Sequence, residues 1–428
     1  MFQGLEKQLE LFSNLGKPTC NSPLDSHPDK LYFPVVHSGD IMAKELAFTL
    51  INPYTIAKSR TGGVIGRLMS RTGLDLVAAR MFGPSRELVE KYAACIREDA
   101  DLDANERKLL SNYVLGAYMP DTRTDRRRRV LMLLFEGEDA IQKIAKATGH
   151  IGTGLDTAET VRDTYGDFVL DEHSQVRYFE PAVLIGSTAA SVKAALQLWA
   201  TFSPTDGGLI EEAADVPREH HLQKTLVLIK PDNFRFPSAR PGNIIDLFSG
   251  SGLRIVAAKI HRMSVAEAEQ FYGPVQQVLR EKLKGVVAEK AAKALTSELG
   301  FEISEEAKTK LGEMFGPLYG DNQFFQIIQF MTGQTPNHCP AGEKQKAGNE
   351  RCLALIYAGS TAVEKIRGIL GPTDPSKAQP GSVRREFGRD VMVNAAHASD
   401  SPENAAREMK IIKVEEDLIT AWVKKYFG

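Results

Sequence analysis

Apolar positions along this chain fall into short β-branched and aliphatic runs bounded by Gly and Pro, alternating with stretches of amphipathic helical pattern. Strands are expected at the runs leading into LINPY (Leu50–Tyr54) and LIKPD (Leu228–Asp232), and within SRTGLDLVAARMF (Ser70–Phe82) and SGSGLRIVAAKIH (Ser249–His261). VLMLLFE and CLALIYA read the same way. GGVIGRLMSR and GNIIDLFSGS predict amphipathic helices, and a second helix opens at Ser85 or Ser264 and reaches Tyr92 or Tyr272. The order strand, helix, strand, helix, strand, helix occurs twice. From Asn52 to Gly73 and from Lys230 to Gly252 the spacing differs by one residue. The chain therefore reads as two copies of one domain, 42–200 and 223–428, after an extension over 1–41 and around a linker over 201–222. The order suits an α+β fold of the ferredoxin-like βαββαβ type, with helices on one face of an antiparallel sheet. The second copy carries two insertions, a helical one at about 275–316 and a polar loop at about 333–351.

Composition narrows the function classes. With 428 residues, 43% hydrophobic and 25% charged, the chain is ordinary for a globular protein of more than one domain. A net charge of -2 provides no basic field for nucleic acid or a membrane surface. No run approaches the ~20 apolar residues that cross a bilayer. The four cysteines, at 20, 95, 339 and 352, form no CxxC pair and no zinc spacing with His, which points to a reduced, cytoplasmic setting. Cys339 and Cys352 flank a loop and could pair.

Several tempting features have plainer readings. SGSG at 249–252 ends a helix, so a helix-terminating turn is expected rather than a phosphate loop. RRRR at 126–129 could touch a phosphate backbone, but its place between DTRTD and a strand predicts a solvated loop. His220 and His221 lie in the linker without a third ligand, so no metal site is expected there. In NAAHASDSPE, Ser401 and Pro402 predict a cap and first helical position for the alanine-rich stretch Glu403–Met409. Taken locally, His397 reads as a neighbour of that cap.

Three motifs change this. TLVLIKPD (Thr225–Asp232), GILGPTDPSKAQPGSVRREFG (Gly368–Gly388) and NAAHASDSPENAARE (Asn394–Glu408) occur in order, and with them the stretch from about Lys224 to Met409 resembles nucleoside diphosphate kinases. The resemblance implies phosphoryl exchange between nucleoside tri- and diphosphates, by ping-pong transfer through a phosphorylated His397. It implies Glu408 on the other ring nitrogen, Ser399 in the same region and Tyr272 near the histidine. It places Lys230, Arg367 and Arg384 on the phosphates with Thr373 beside them, Asn394 on the sugar hydroxyls, and the base on Phe324 with Ile328. Magnesium would arrive with the nucleotide phosphates rather than sit in a protein cage. Met392 and Val393 depart from the glycine and basic residue of the pattern.

The first copy, from about Ala43 to Trp199, looks like a diverged relative. Asn52 stands at the Lys230 position, Ala145 at the Arg367 position and Leu184 at or beside the His397 position, while Arg162 survives opposite Arg384. It should not turn over. Since family members assemble through packed domain pairs, the copies are expected to form an intrachain pseudo-dimer, with a further homo-oligomer possible. The rival expectation is a non-catalytic nucleotide-binding or scaffold protein that kept the fold; a weaker one is a histidine phosphate relay to another protein.

Overall fold

The computed structural model describes residues 43–152, 159–216 and 222–428; the expected extension and His220 and His221 lie outside them. The first copy runs β1 (Glu45–Ile51), α1 (Pro53–Ala57), α2 (Thr61–Thr72), β2 (Asp75–Phe82), α3 (Arg86–Arg97), α4 (Ala104–Ala117), β3 (Val130–Gly137), α5 (Ala140–Thr148), α6 (Val161–Tyr165), β4 (Asp167–Leu170), β5 (Val176–Glu180), β6 (Val183–Ile185) and α7 (Ala189–Asp206). The second runs β7 (Gln223–Ile229), α8 (Arg240–Ser249), β8 (Arg254–His261), α9 (Val265–Leu299), α10 (Glu305–Thr332), β9 (Cys352–Gly359), α11 (Ala362–Leu370), α12 (Val383–Phe387), β10 (Ala396–Ala398), α13 (Pro402–Ile412) and α14 (Leu418–Phe427).

The two large sheets have the orders β2-β3-β1-β6 and β10-β7-β9-β8, antiparallel throughout. Both are the ferredoxin-like order, so the expected fold class is the observed one. One refinement follows from the strands' composition. Leu46, Phe48 and Leu50 of β1 pack on α3, α4 and α7, while Ala47 and Ile51 join a second core with α2 and α5. Each sheet is thus covered on both faces, not one, which is why its central strands are apolar without alternation.

That second core continues into the other copy through Ile229, Ile244, Phe248, Ile255 and Tyr357. Helices α2 and α8 cross there at closest approach. A Cβ on Gly62 would sit 2.3 Å from the Gly242 carbonyl, and one on Gly242 would sit 2.2 Å from the Gly62 carbonyl. Only glycine permits that separation.

The arginine run is the clearest departure from expectation. Arg129 is 1% exposed, pairs with Asp215 and donates to the Ile255 carbonyl of the second copy. Arg127 donates to the Gly83 and Thr205 carbonyls and Asp206, and Arg126 to the Glu212 and Val216 carbonyls. These side chains pin the segment after α7 to the first copy, so the run is not a solvated loop.

Other boundaries shift as well. Helix α7 continues through Asp206, so the start of the expected linker is helical, held by Asp206 accepting from the Ser85 amide and hydroxyl. The helical insertion is a lengthening of an existing hairpin: α9 and α10 have 35 and 28 residues where α3 and α4 have 12 and 14. The polar loop is tied down where Lys344 meets Glu269 and its carbonyl accepts from Ala266. Cys339 and Cys352 are both free. After α13 the chain crosses back: Lys259 donates to the Ile412 and Lys413 carbonyls, Arg80 to those of Glu415 and Glu416, and α14 packs on α7 and β2 of the first copy. No described helix is long and apolar enough to cross a membrane.

Candidate active site

His397 sits at the centre of the short edge strand β10, paired opposite Leu228 of β7. Ala395, just before it, has φ +68, a left-handed turn that carries the chain into the strand. Three residues beyond β10, Ser401 accepts from the Asn404 amide and Pro402 fills the first turn, as the sequence predicts. Two turns into α13, Glu408 faces back, its Oε2 lying 3.0 Å from His397 Nε2 and accepting from Ser399 Oγ at 2.7 Å. A carboxylate accepts, which assigns the ring proton to Nε2 and leaves the Nδ1 lone pair. Phe271 and Tyr272 of α9 meet the imidazole edge-on, with ring centroids at 5.1 and 6.3 Å. The Tyr272 hydroxyl is buried without a partner, and burial pushes its pKa up.

Lys230 follows β7, 9% exposed, and donates to Asn394 Oδ1 at 2.6 Å and the Met392 carbonyl at 3.2 Å. Asn394 Nδ2 donates in turn to the Val391 and Thr373 carbonyls. One amide thereby joins the lysine, the Thr373 loop and the approach to His397. Burial, reinforced by the Arg384 charge, lowers the Lys230 pKa to about 7.

Arg384 also lines this cleft, and part of its fork is bound to the backbone. Nη1 donates to the Gly371 carbonyl and Nη2 to the Ala396 carbonyl, each through one of its two N–H groups, and the buried Nε has no partner among the described residues. Burial and then the neighbouring Arg367 lower its pKa to about 9. Arg162 makes the same pair of bonds in the first copy, to the Gly149 and Val183 carbonyls. This arginine therefore serves both copies as a backbone staple, whether or not a histidine is present.

The cleft holds about 160 Å³ and brings together Lys230, Tyr272, Thr373, Arg384, Asn394, His397 and Glu408. That is below the ~300 Å³ at which small-molecule sites usually begin. Four expected residues are not among its lining; one is Ser399, fully buried, which reaches the cleft only through its bond to Glu408. Arg367 is half-buried on α11, near Arg384 but outside the cleft. Phe324 and Ile328 are buried in the core beneath the hairpin, where helical spacing puts them on one inward stripe. The adjacent stripe, Ile327, Phe330 and Met331, lines the cleft instead. Lys230 Nζ and Arg235 Cζ lie 5.6 and 5.7 Å from the Phe330 ring centroid. The motif FFQIIQFMTG signals an aromatic here but not which one.

The first copy shows what has been lost. Leu184 pairs opposite Leu50 as His397 pairs opposite Leu228, so it occupies the histidine position by register. Counting on from there, Gly186 and Ala195 fall at the Ser399 and Glu408 positions. Asn52 stands where Lys230 stands; its Nδ2 donates to Glu180 and its Oδ1 accepts from Tyr118, within a buried amide–carboxylate–phenol network that Tyr113 completes.

The family model described as nucleoside diphosphate kinase matches residues 223–294 and 341–418, the second copy without the end of α9 and all of α10. A nucleoside diphosphate kinase of Bdellovibrio bacteriovorus is 30% identical over 190 residues, 44% of this chain and 92% of that protein. One from Pyrobaculum aerophilum is 29% identical over 208 residues, 46% and 98% of the two chains. A solved NDP kinase from Pyrobaculum aerophilum is 29% identical, covering 45% of this chain and 95% of its own, with a TM-score of 0.30. With 92% of a 30%-identical relative covered and the motif residues gathered around one histidine, this chain belongs to the nucleoside diphosphate kinase family.

Proposed function

We propose that the second domain exchanges phosphoryl groups between nucleoside tri- and diphosphates through His397. The observation that carries this reading is the His397 Nε2–Glu408 hydrogen bond of 3.0 Å, which leaves Nδ1 as the nucleophile. In the first half-reaction the Nδ1 lone pair attacks the γ-phosphorus; an N–P bond forms, the bond from phosphorus to the bridging oxygen breaks, and the diphosphate leaves. In the second, a β-phosphate oxygen of another diphosphate attacks the same phosphorus and the N–P bond breaks. Glu408 keeps the Nε2 proton and stabilises the positive charge the ring gains, while Ser399 holds the carboxylate. Lys230 and Asn394 meet the phosphates and sugar, Thr373 borders them, and Arg384 adds the charge of a staple whose Nε–H is still unpartnered. Arg367 adds charge from outside the cleft.

Magnesium enters as part of the substrate. Among the described residues no group of three His, Cys, Asp or Glu side chains could hold a metal ion, and Glu408 is committed to His397 and Ser399. Phe330 is the stacking partner for the base, in place of Phe324. Stacking tolerates every base, so discrimination among nucleotides is weak. Phe330→Ala raises KM for all nucleotides by roughly tenfold, the cost of one stacked base; Phe324→Ala raising KM while Phe330→Ala leaves it alone would reverse the assignment.

Lys230 gives the site a pH dependence. Its pKa is lowered to about 7 in the free protein and rises when a phosphate arrives, so binding takes up a proton above pH 7. KM for the triphosphate should rise by up to about tenfold per pH unit above that point, and Lys230→Met should abolish the slope. A flat KM from pH 6 to 9 in the wild type contradicts this.

The first domain, lacking nucleophile and lysine, acts as the partner in an intrachain pseudo-dimer that buries one face of the catalytic domain. The scaffold reading draws support from one observation, the 160 Å³ cleft, which must widen to admit a nucleotide. Incubation with γ-labelled ATP and Mg²⁺ separates the two: a working kinase acquires acid-labile label that unlabelled GDP discharges. An unlabelled wild-type protein sinks the kinase reading.

A further inference from the structure

Helix α9 contains a proline at position 274, within the turn that presents Phe271 and Tyr272 to His397. Proline has no N–H, so the Gln270 carbonyl four residues earlier loses its helical donor. The replacement comes from another helix. Arg407 of α13 donates through Nη1 to the Gln270 carbonyl at 3.1 Å and the Phe271 carbonyl at 3.3 Å, and through Nη2 to the Phe271 carbonyl at 3.3 Å. Its Nη2 also lies 3.5 Å from Glu408 Oε1, the carboxylate oxygen His397 does not use.

We propose that Arg407 is a positioning residue: it grips the Gln270 carbonyl freed by Pro274 and the neighbouring Phe271 carbonyl, and so holds the two walls of the histidine pocket, the Glu408 wall and the Phe271–Tyr272 wall, at a fixed separation. The first copy supports the pairing of these features. Its helix α3 has no proline, and Ala194 and Ala195 stand where Arg407 and Glu408 stand. Where the histidine is gone, the clamp is gone too. A guanidinium suits the task because its planar fork reaches two carbonyls and a carboxylate at once, which an ammonium does not. Arg407 needs no contact with nucleotide, so its effect passes through Glu408.

The inference rests on the phosphohistidine reading, and a double-mutant cycle on the full chain tests it. Single-turnover labelling by MgATP is measured for wild type, Arg407→Gln, Glu408→Gln and the double variant. Arg407→Gln is expected to slow labelling about tenfold at saturating ATP, with the half-saturating ATP concentration unchanged. The double variant should label no more slowly than Glu408→Gln, within about twofold, because the first residue acts through the second. A wild-type rate in Arg407→Gln, or losses that multiply in the double variant, overturns the clamp while leaving the kinase reading intact. An unlabelled wild type overturns both. Should Arg407→Gln not fold, Arg407→Lys carries the test, with a loss of at least about threefold expected and a wild-type rate overturning the proposal.

Discussion

His397→Gln leaves no acid-labile phosphoenzyme and lowers nucleotide exchange by roughly 10⁴-fold or more, the scale on which loss of a covalent nucleophile is felt. Glutamine is the informative substitution. Its side-chain amide can still donate to Glu408, as Nε2 now does at 3.0 Å, so the Glu408–Ser399 arrangement and the β10–β7 pairing are kept. What disappears is the lone pair on Nδ1. The thermal midpoint should therefore stay close to that of wild type while labelling vanishes. Persistent label in His397→Gln would mean that another residue accepts the phosphoryl group. Glu408→Gln is expected to retain the nucleophile but weaken its orientation, and so to lower the rate by less than removal of the ring itself.

Arg129→Leu produces the largest expected loss of stability, about 3 kcal/mol, toward the lower end of what breaking a buried ion pair costs. The lower end applies because Asp215, unlike Arg129, is 31% exposed and water can reach its carboxylate. Burial alone would push Asp215 up, but Arg129 and Arg254 hold it below the usual carboxylate range. A carboxylate whose folded pKa is depressed contributes stability above its unfolded value near 4, and that contribution is lost as pH falls through the folded value. The variant should lack this component, so the stability gap between wild type and Arg129→Leu narrows as pH falls below about 4. Chemical denaturation at pH 7 and pH 3 reads both statements. Arg128→Leu, in the same run but 39% exposed, serves as the comparison and should cost under about 1 kcal/mol. Equal midpoints for the two variants would show that the Arg129 contact does not hold the domains together.

Arg129 also illustrates why parts of this protein are opaque in its sequence. Four consecutive arginines look solvated because their neighbours are polar; their partners, Asp215 and the Ile255 carbonyl, are far along the chain. The stripe of α10 facing the His397 cleft was equally hidden. Helical spacing puts Phe324 and Ile328 on one stripe and Ile327 and Phe330 on another, and only the packing of α10 on α9 decides which stripe meets the cleft. Arg384 matches its motif, yet two carbonyls claim its fork in this fold and in the diverged copy alike. The service of Arg407 to a carbonyl freed by Pro274 depends on two helices meeting at one turn.

Strand order, the repeat, the Ser401–Pro402 cap and the loss of the histidine at Leu184 were all determined by the sequence itself, because each rests on periodicity, turn chemistry or alignment of one copy with the other. Helix rotation, the partners of the long cationic side chains and the width of the cleft were decided only by tertiary structure. The physical reason is reach: local spacing controls which residues share a face, but what that face meets is set by other elements of the fold, as far off as Gln270 is from Arg407.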